Sequence, residues 1–172
     1  MNLRMKELFM SKKLNLSIAL IFLYTSANSV SIPKDVEQFK LTGHCIKCDL
    51  SSVDFLETNH SGSLNIEQSN FIRSSFSSMN ANHQFSNFKN CKGMVSNISY
   101  FDLSYSDFSF SNLKNAAFVA TNLTGSNFTG TDVSGVNFTE ANLYNSNISE
   151  EQLKSAKILC NTVLPNGDLS DC

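Results

Sequence analysis

The chain has 172 residues, 41% of them hydrophobic, and a formal charge of −2, which fits one folded domain and excludes a strongly charged tail or polymer. Trp is absent, Pro is nearly so, and Phe supplies 14 aromatic residues against four Tyr. No long Lys/Arg run is present, so binding to a nucleic-acid backbone is not indicated.

Residues 1–29 read as an export signal. Lys12 and Lys13 precede an apolar run from Leu14 to Tyr24, broken by Asn15 and Ser17, and Ala27 and Ser29 stand at the −3 and −1 positions of a small-residue cleavage site. The run is too short to span a bilayer comfortably, and no Cys follows it to carry a lipid. Met5 or Met10 would serve as starts that keep both lysines. Removing this segment leaves 9 basic and 14 acidic side chains, a net of −5. The expectation is a secreted or periplasmic protein with no stable membrane span after signal cleavage.

Residues 30–40 read as a polar lead-in, with Pro33 limiting regular structure. Repeats are expected over 41–158, regular from 86. Cys45, Leu50 and Phe55 are five residues apart, as are Ile66, Phe71 and Phe76, one residue out of phase with the first group. A long series then runs through Phe88, Ile98, Leu103, Phe108, Leu113, Phe118, Leu123, Phe128, Val133, Phe138, Leu143, Ile148, Leu153 and Ile158, broken only by Gly93, and it starts two residues out of phase again. Asn59–Ser63 and Met79–Gln84 read as loops that absorb the extra residues, with His60 and His83 as solvated loop side chains. A period of five fits neither an α-helix nor an ordinary strand, and short fixed periods mark solenoids.

Two residues before each centre the side chain is small: Ser86, Cys91, Ser96, Ser106, Ser111, Ala116, Thr121 and Ser126, with Phe101 the exception, either accommodated inside or pushed out. The residue just before the centre is mostly Asn or Asp. Copies such as Ser126-Asn127-Phe128-Thr129-Gly130 and Ala141-Asn142-Leu143-Tyr144-Asn145 carry a resemblance to the pentapeptide repeat family, close over 86–158 and looser over 41–80. The resemblance implies an all-β fold, a right-handed quadrilateral β-helix with four five-residue sides per coil, in a single domain.

A 20-residue coil then sorts the centres. One side holds Phe88, Phe108, Phe128 and Ile148, and the opposite side Ile98, Phe118, Phe138 and Ile158. The remaining sides hold Leu113, Val133, Leu153 and Leu103, Leu123, Leu143. Rings facing rings, with small residues between, predict a filled core and not a pore. The Ser86, Ser106, Ser126 and Ser146 hydroxyls form one column and need buried partners.

Outward positions are left for binding. Gly125, Gly130 and Gly135 fall at corners, where positive φ is expected. Tyr100, Tyr105, Phe110 and Tyr144 also point outward, either packing across corners or forming a partner patch. From Ser96 to Gln152 the acids Asp102, Asp107, Asp132, Glu140, Glu150 and Glu151 face Lys114 alone, which reads as an acidic solvated surface. Glu150–Ala156 reads as a helical turn near the last coil, and 159–172 as a closing tail with a Pro165, Asn166-Gly167 turn.

In an exported protein Cys160 and Cys172 are expected to tie the tail to the last coil. Cys45-Ile46-Lys47-Cys48 permits three readings: a local disulfide, a redox pair, or half a zinc site with His44, for which Cys91 is the only further ligand candidate. Cys91 itself reads as a buried free thiol. Glycosylation sequons at Asn97, Asn122, Asn127, Asn137 and Asn147 are a by-product of the repeat. There is no Gly-rich phosphate loop, GxSxG or HExxH, so no catalysis and no cofactor are expected. The functional expectation is an exported scaffold binding a protein or cell-surface component through a lateral face. The alternatives are an acidic DNA mimic acting on an enzyme such as gyrase, as some members of the resembled family do, and a thiol-redox protein using Cys45 and Cys48.

Overall fold

Each five-residue unit bends the chain once. From a centre residue the chain runs through two residues, the second with φ near +60°, and the third residue donates its N–H back to the centre carbonyl, as from Ser111 to Phe108 at 3.1 Å and Ser126 to Leu123 at 3.1 Å. That is a β-turn with a left-handed third residue. The computed structural model describes residues 33–55, 62–76 and 82–172, and over Pro33–Cys172 these turns wind the chain into a right-handed quadrilateral β-helix.

Between turns each side lies parallel to the side one coil on. Asn87 pairs with Asp107, Asp107 with Asn127, and Asn122 with Asn142, a 20-residue coil. The early coils are longer: His44 pairs with Asn65 and Asn65 with Asn87. These shifts of one and two residues match the phase changes in the sequence. Asn82, however, already pairs with Asp102, so Asn82–Gln84 are coil and not loop. The leader, His60 and the rest of the two expected loops lie outside the described residues, apart from Gly62 and Ser63.

The centres point inward and stack. Phe88, Phe108 and Phe128 have ring centroids 4.8 and 5.2 Å apart, and Phe118 lies 5.8 Å from Phe138 on the opposite side. The two stacks meet edge to face, Phe108 against Phe118 at 5.6 Å. Leu103, Leu123 and Leu143 are fully buried on a third side. Gly93 keeps the register of the ladder. A Cβ there would collide with the Phe71 ring, which leans into the space of the missing side chain.

The small inward residues link coils. Ser111 Oγ accepts from Cys91 N–H at 3.0 Å and donates to the Phe88 carbonyl, and Thr121, Ser126, Thr131 and Thr162 donate to Ile98, Leu103, Phe108 and Phe138 in the same way. Ser146 Oγ, in the last full coil, is buried without such a partner. Phe101 is inside, its ring 5.4 Å from that of His83.

Both ends depart from the repeat. The lead-in is helix α1, Lys34–Thr42, so Pro33 starts regular structure and does not prevent it. Pro33 is the N-cap, where the N–H that proline lacks would have had no intrahelical partner; Asp35 and Glu37 follow at the positive end, and Gly43 closes the helix with φ 70. Val36 and Phe39 are buried, with Phe39 5.0 Å from Phe55 and 6.0 Å from Phe76, which seals the first coils. At the other end helix α2, Glu150–Ser155, replaces one side. Ser149 and Gln152 form a capping box, and Gln152 Nε2 also donates to the Phe128 and Thr131 carbonyls, both at 2.8 Å.

α2 shifts the register by one, so Asn137 pairs with Ile158 and Asn142 with Val163. Ile158 therefore does not stack beneath Phe138. It is half-exposed, and Leu159 packs against the core in its place. The tail then turns at Pro165–Gly167 and pairs antiparallel, Val163 with Leu169. Among the described residues no helix is long and apolar enough to cross a membrane.

Candidate functional site

With the interior filled, chemistry is left to the outer surface, the ends and the cysteines. The outer sides are built on the residue before each centre. Its side-chain oxygen accepts the N–H two residues on, as Asn122 Oδ1 does from Thr124 at 3.1 Å and Asp107 Oδ1 from Ser109 at 2.9 Å. Its amide then donates one coil back, Asn122 Nδ2 to Asp102 Oδ1 at 3.1 Å and Asn127 Nδ2 to Asp107 Oδ1 at 3.0 Å. This explains the Asn/Asp preference: the group closes a local turn and also forms a ladder.

Of the six acids of the expected acidic surface, Asp102, Asp107 and Asp132 occupy that framework, whereas Glu140 is a corner residue and Glu150 and Glu151 lie in α2. Asp102, Asp107 and Asp132 fall on three different sides of the coil. At Asp102 burial raises the carboxyl pKa, but hydrogen bonds from Gln84, Ser104 and Asn122 outweigh it and hold it below the usual value. Asp132 is lowered chiefly by the Ser134 N–H and hydroxyl. These carboxylates are fastened to their own chain and form no row.

The outward aromatics stand exposed, Tyr100 at 52%, Tyr105 at 56%, Phe110 at 59% and Tyr144 at 44%. Tyr100, Tyr105 and Phe110 are left-handed corner residues with φ between 59 and 67, at three successive corners of one coil, so they do not form one flat patch. Tyr100 and Tyr105 edge the same side, and Tyr144 lies on that side two coils on. Phe85, passed over in the sequence, belongs with them: it is exposed, and its ring stacks on Tyr105 at 5.3 Å. The other face of Tyr105 covers Gly125, and Phe110 covers Gly130; a Cβ would stand 2.7 and 2.8 Å from those rings. The corner glycines, with φ of 67 and 65, therefore seat the aromatic of the coil before, besides allowing the turn. The signal was legible as a 20-residue offset between Tyr105 and Gly125 and between Phe110 and Gly130.

His83 corrects an expectation. It is 2% exposed, inward-facing, with Nδ1 2.6 Å from the Gly62 carbonyl. Counting five back from Phe88 lands on it, and Asn82 before it fits the repeat, so the periodicity already placed it inside.

Cys45 and Cys48 lie at disulfide distance, as do Cys160 and Cys172. The first pair is buried in the first coil, and Cys48 N–H donates to Ser69 Oγ. His44 faces outward and is not part of a ligand cluster with them; Asp35 of α1 is. Cys91 is a free buried thiol, its pKa pushed up to about 12 by burial. At the C-terminal end Ile148, Leu153, Leu159, Leu164 and Pro165 line an open apolar groove of about 480 Å³, with the Glu150–Lys154 ion pair at its edge.

Residues 102–139 and 121–157 match the sequence pattern described as pentapeptide repeats, in 8 copies. Over residues 102–157 the chain is built of pentapeptide repeats. No curated protein sequence matches it significantly. Its matches among solved structures include pentapeptide repeat proteins. One from the Arabidopsis thaliana thylakoid lumen is 20% identical, with a TM-score of 0.51 over 72% of this chain and 84% of that one. One from the cyanobacterium Cyanothece is 18% identical, with a TM-score of 0.49 over 76% and 97%. HetL from Nostoc, involved in regulating heterocyst differentiation, is 19% identical, with a TM-score of 0.41 over 73% and 66%.

Proposed function

We propose that this pentapeptide repeat protein is an exported scaffold that binds a protein or cell-surface component through a lateral face, without catalysis. The observation that carries it is the division of labour in the coil. Inward positions fill the core, whereas exposed rings stand along the edges of sides whose own surface is mostly Asn, Ser and Thr. The side edged by Tyr100 and by the Phe85–Tyr105 pair, with Tyr144 further along, is the proposed contact surface, and Phe110 extends it round one corner. Rigid aromatics on a fixed backbone lose little entropy on binding. Export is supported by the leader pattern and by two cysteine pairs at disulfide distance, which suit an oxidising compartment.

DNA mimicry is the weaker reading. A mimic needs carboxylates in a row, and Asp102, Asp107 and Asp132 are spread over three sides and bonded locally. Thiol exchange with a protein partner is weaker still, because Cys45 and Cys48 are both buried. The test is affinity capture with purified protein lacking residues 1–29, repeated with the Tyr100→Ser, Tyr105→Ser, Phe110→Ser triple variant. The expected result is loss of the captured partner with an unchanged far-UV spectrum. Equal capture by the variant rejects the aromatic surface, and full-length protein recovered uncleaved from the cytoplasm rejects export.

A further inference from the structure

The CxxC segment spans a corner from the inside. Cys45 is a centre residue and Cys48 the small inward residue of the next side, so Ile46 and Lys47 make the turn while both sulfurs stay within the first coil. The first turn of α1 lies over them: Cys45 Sγ is 3.5 Å from the Asp35 carbonyl, and Asp35 Oδ2 accepts from Asp49 N–H at 2.9 Å. One Asp35 carboxylate oxygen and the two sulfurs lie within 4.8 Å of one another. Both cysteines are buried and Asp35 is half-buried, so the cluster opens towards solvent on the Asp35 side.

Two thiolates and a carboxylate are a donor set for Zn²⁺. Bond lengths of about 2.3 Å to sulfur and about 2.0–2.2 Å to oxygen hold tetrahedral ligand atoms roughly 3.4–3.8 Å apart. That is within the present span of the cluster, once the sulfurs are no longer bonded to each other. We propose that the pentapeptide repeat protein has a redox-gated zinc site, in which reduced Cys45 and Cys48 bind Zn²⁺ together with Asp35, and water fills the fourth position. The reductant is a small-molecule dithiol, which enters from the Asp35 side where the buried sulfurs exclude a protein thiol. It gives two electrons and two protons to the Cys45–Cys48 bond and leaves as its own disulfide. Zn²⁺ then displaces the two thiol protons. In either state the corner is bridged, by the sulfur–sulfur bond when oxidised and by the metal when reduced, and the metal additionally ties α1 to the first coil through Asp35.

The test uses the full chain carrying Cys160→Ser and Cys172→Ser, so that Cys45, Cys48 and the buried Cys91 are the thiols present. The protein is reduced with a dithiol, desalted without oxygen and titrated with Zn²⁺ against a chromophoric chelator. Co²⁺ serves as the spectroscopic probe of tetrahedral thiolate ligation. The expected result is one equivalent bound by the reduced chain and none by the oxidised chain. Asp35→Asn retains an acceptor for Asp49 N–H but removes the charge, and is expected to weaken binding by at least about tenfold. His44→Ala is expected to leave binding unchanged, since that ring is outside the cluster. Far-UV spectra of the reduced metal-free chain and of each variant separate lost ligation from lost fold. The proposal is overturned if the folded reduced chain binds no metal, if the reduced chain unfolds and Zn²⁺ does not restore it, if Asp35→Asn binds as tightly as its parent, or if His44→Ala abolishes binding.

Discussion

Gly93 offers a test in which two physical effects have opposite signs. Its φ is not in the left-handed region, so the backbone would accept alanine. On that ground alone Gly93→Ala should stabilise by about 0.4–1 kcal/mol, because the unfolded chain loses freedom. The packing argues the reverse. The new Cβ would fall within the envelope of Phe71 Cε2 and Cζ and stand 2.9 Å from Leu113 Cδ2, and both neighbours are fully buried with no solvent side to move into. Overpacking of this kind costs about 1–3 kcal/mol. The expected net is a destabilisation of about 1–2 kcal/mol, read from the midpoint of urea unfolding followed by far-UV circular dichroism at constant m. The cycle with Phe71→Leu sharpens the test. That change is destabilising by itself because it removes buried volume, but it withdraws the ring atoms that meet the new methyl. The double variant should recover at least about 1 kcal/mol relative to the sum of the singles, as expected for residues in direct contact. A Gly93→Ala protein as stable as its parent, or strictly additive costs, would refute the view that Phe71 fills the glycine's place.

The hydroxyl bridges predict a contrast between two serines. Ser111→Ala strands the Cys91 N–H and the Phe88 carbonyl and should cost about 1–3 kcal/mol per group, whereas Ser146→Ala removes a hydroxyl with no partner and should be neutral or mildly stabilising by the same urea assay. Asp102 has a depressed pKa when folded, so the stability it contributes is fully present above its unfolded value of 3.8 and is lost as pH falls through the lower folded value. Asp102→Asn should flatten the acid limb of a melting-temperature profile, and identical acid limbs would count against these hydrogen bonds. Cys91, with its thiol pushed up to about 12, should resist iodoacetamide in the folded chain at neutral pH and react once urea unfolds the protein.

The regular coils were legible because one five-residue unit repeats one physical solution. The 20-residue offset placed Phe108 over Phe128 and Phe118 over Phe138, and the phase changes after Phe55 and Phe76 gave the longer early coils. What was misread lay where a residue's role depends on its neighbour in the next coil. Gly93 looked like a gap but is an occupied position whose occupant is Phe71. His83 was judged by its polarity, and the coil instead buries it beside Phe101, with one ring nitrogen bonded to the Gly62 carbonyl. Of the candidate site, the exposure of Tyr100, Tyr105, Phe110 and Tyr144 followed from their positions. Their separation onto successive corners, and the pairing of Phe85 with Tyr105, did not, because linear spacing does not show which outward residues share a side.

The ends were hardest to read for a reason built into any solenoid. A middle coil can repeat because another coil supplies its hydrogen-bond partners and covers its core, and a terminal coil has neither. It must change conformation to satisfy both, and a change of conformation breaks the period that makes a sequence readable. α1 meets the need with two buried apolar residues three apart, Val36 and Phe39, while Leu41 stays exposed. α2 meets it with one side chain, Gln152, which takes up the Phe128 and Thr131 carbonyls. The register shift that carries Ile158 outward and Leu159 inward follows from inserting α2. Both cysteine pairs lie where the repeat breaks down, Cys45 and Cys48 beneath α1, Cys160 and Cys172 after α2. Covalent or metal bridging suits those places, because a terminal coil lacks a neighbour on one side to hold it.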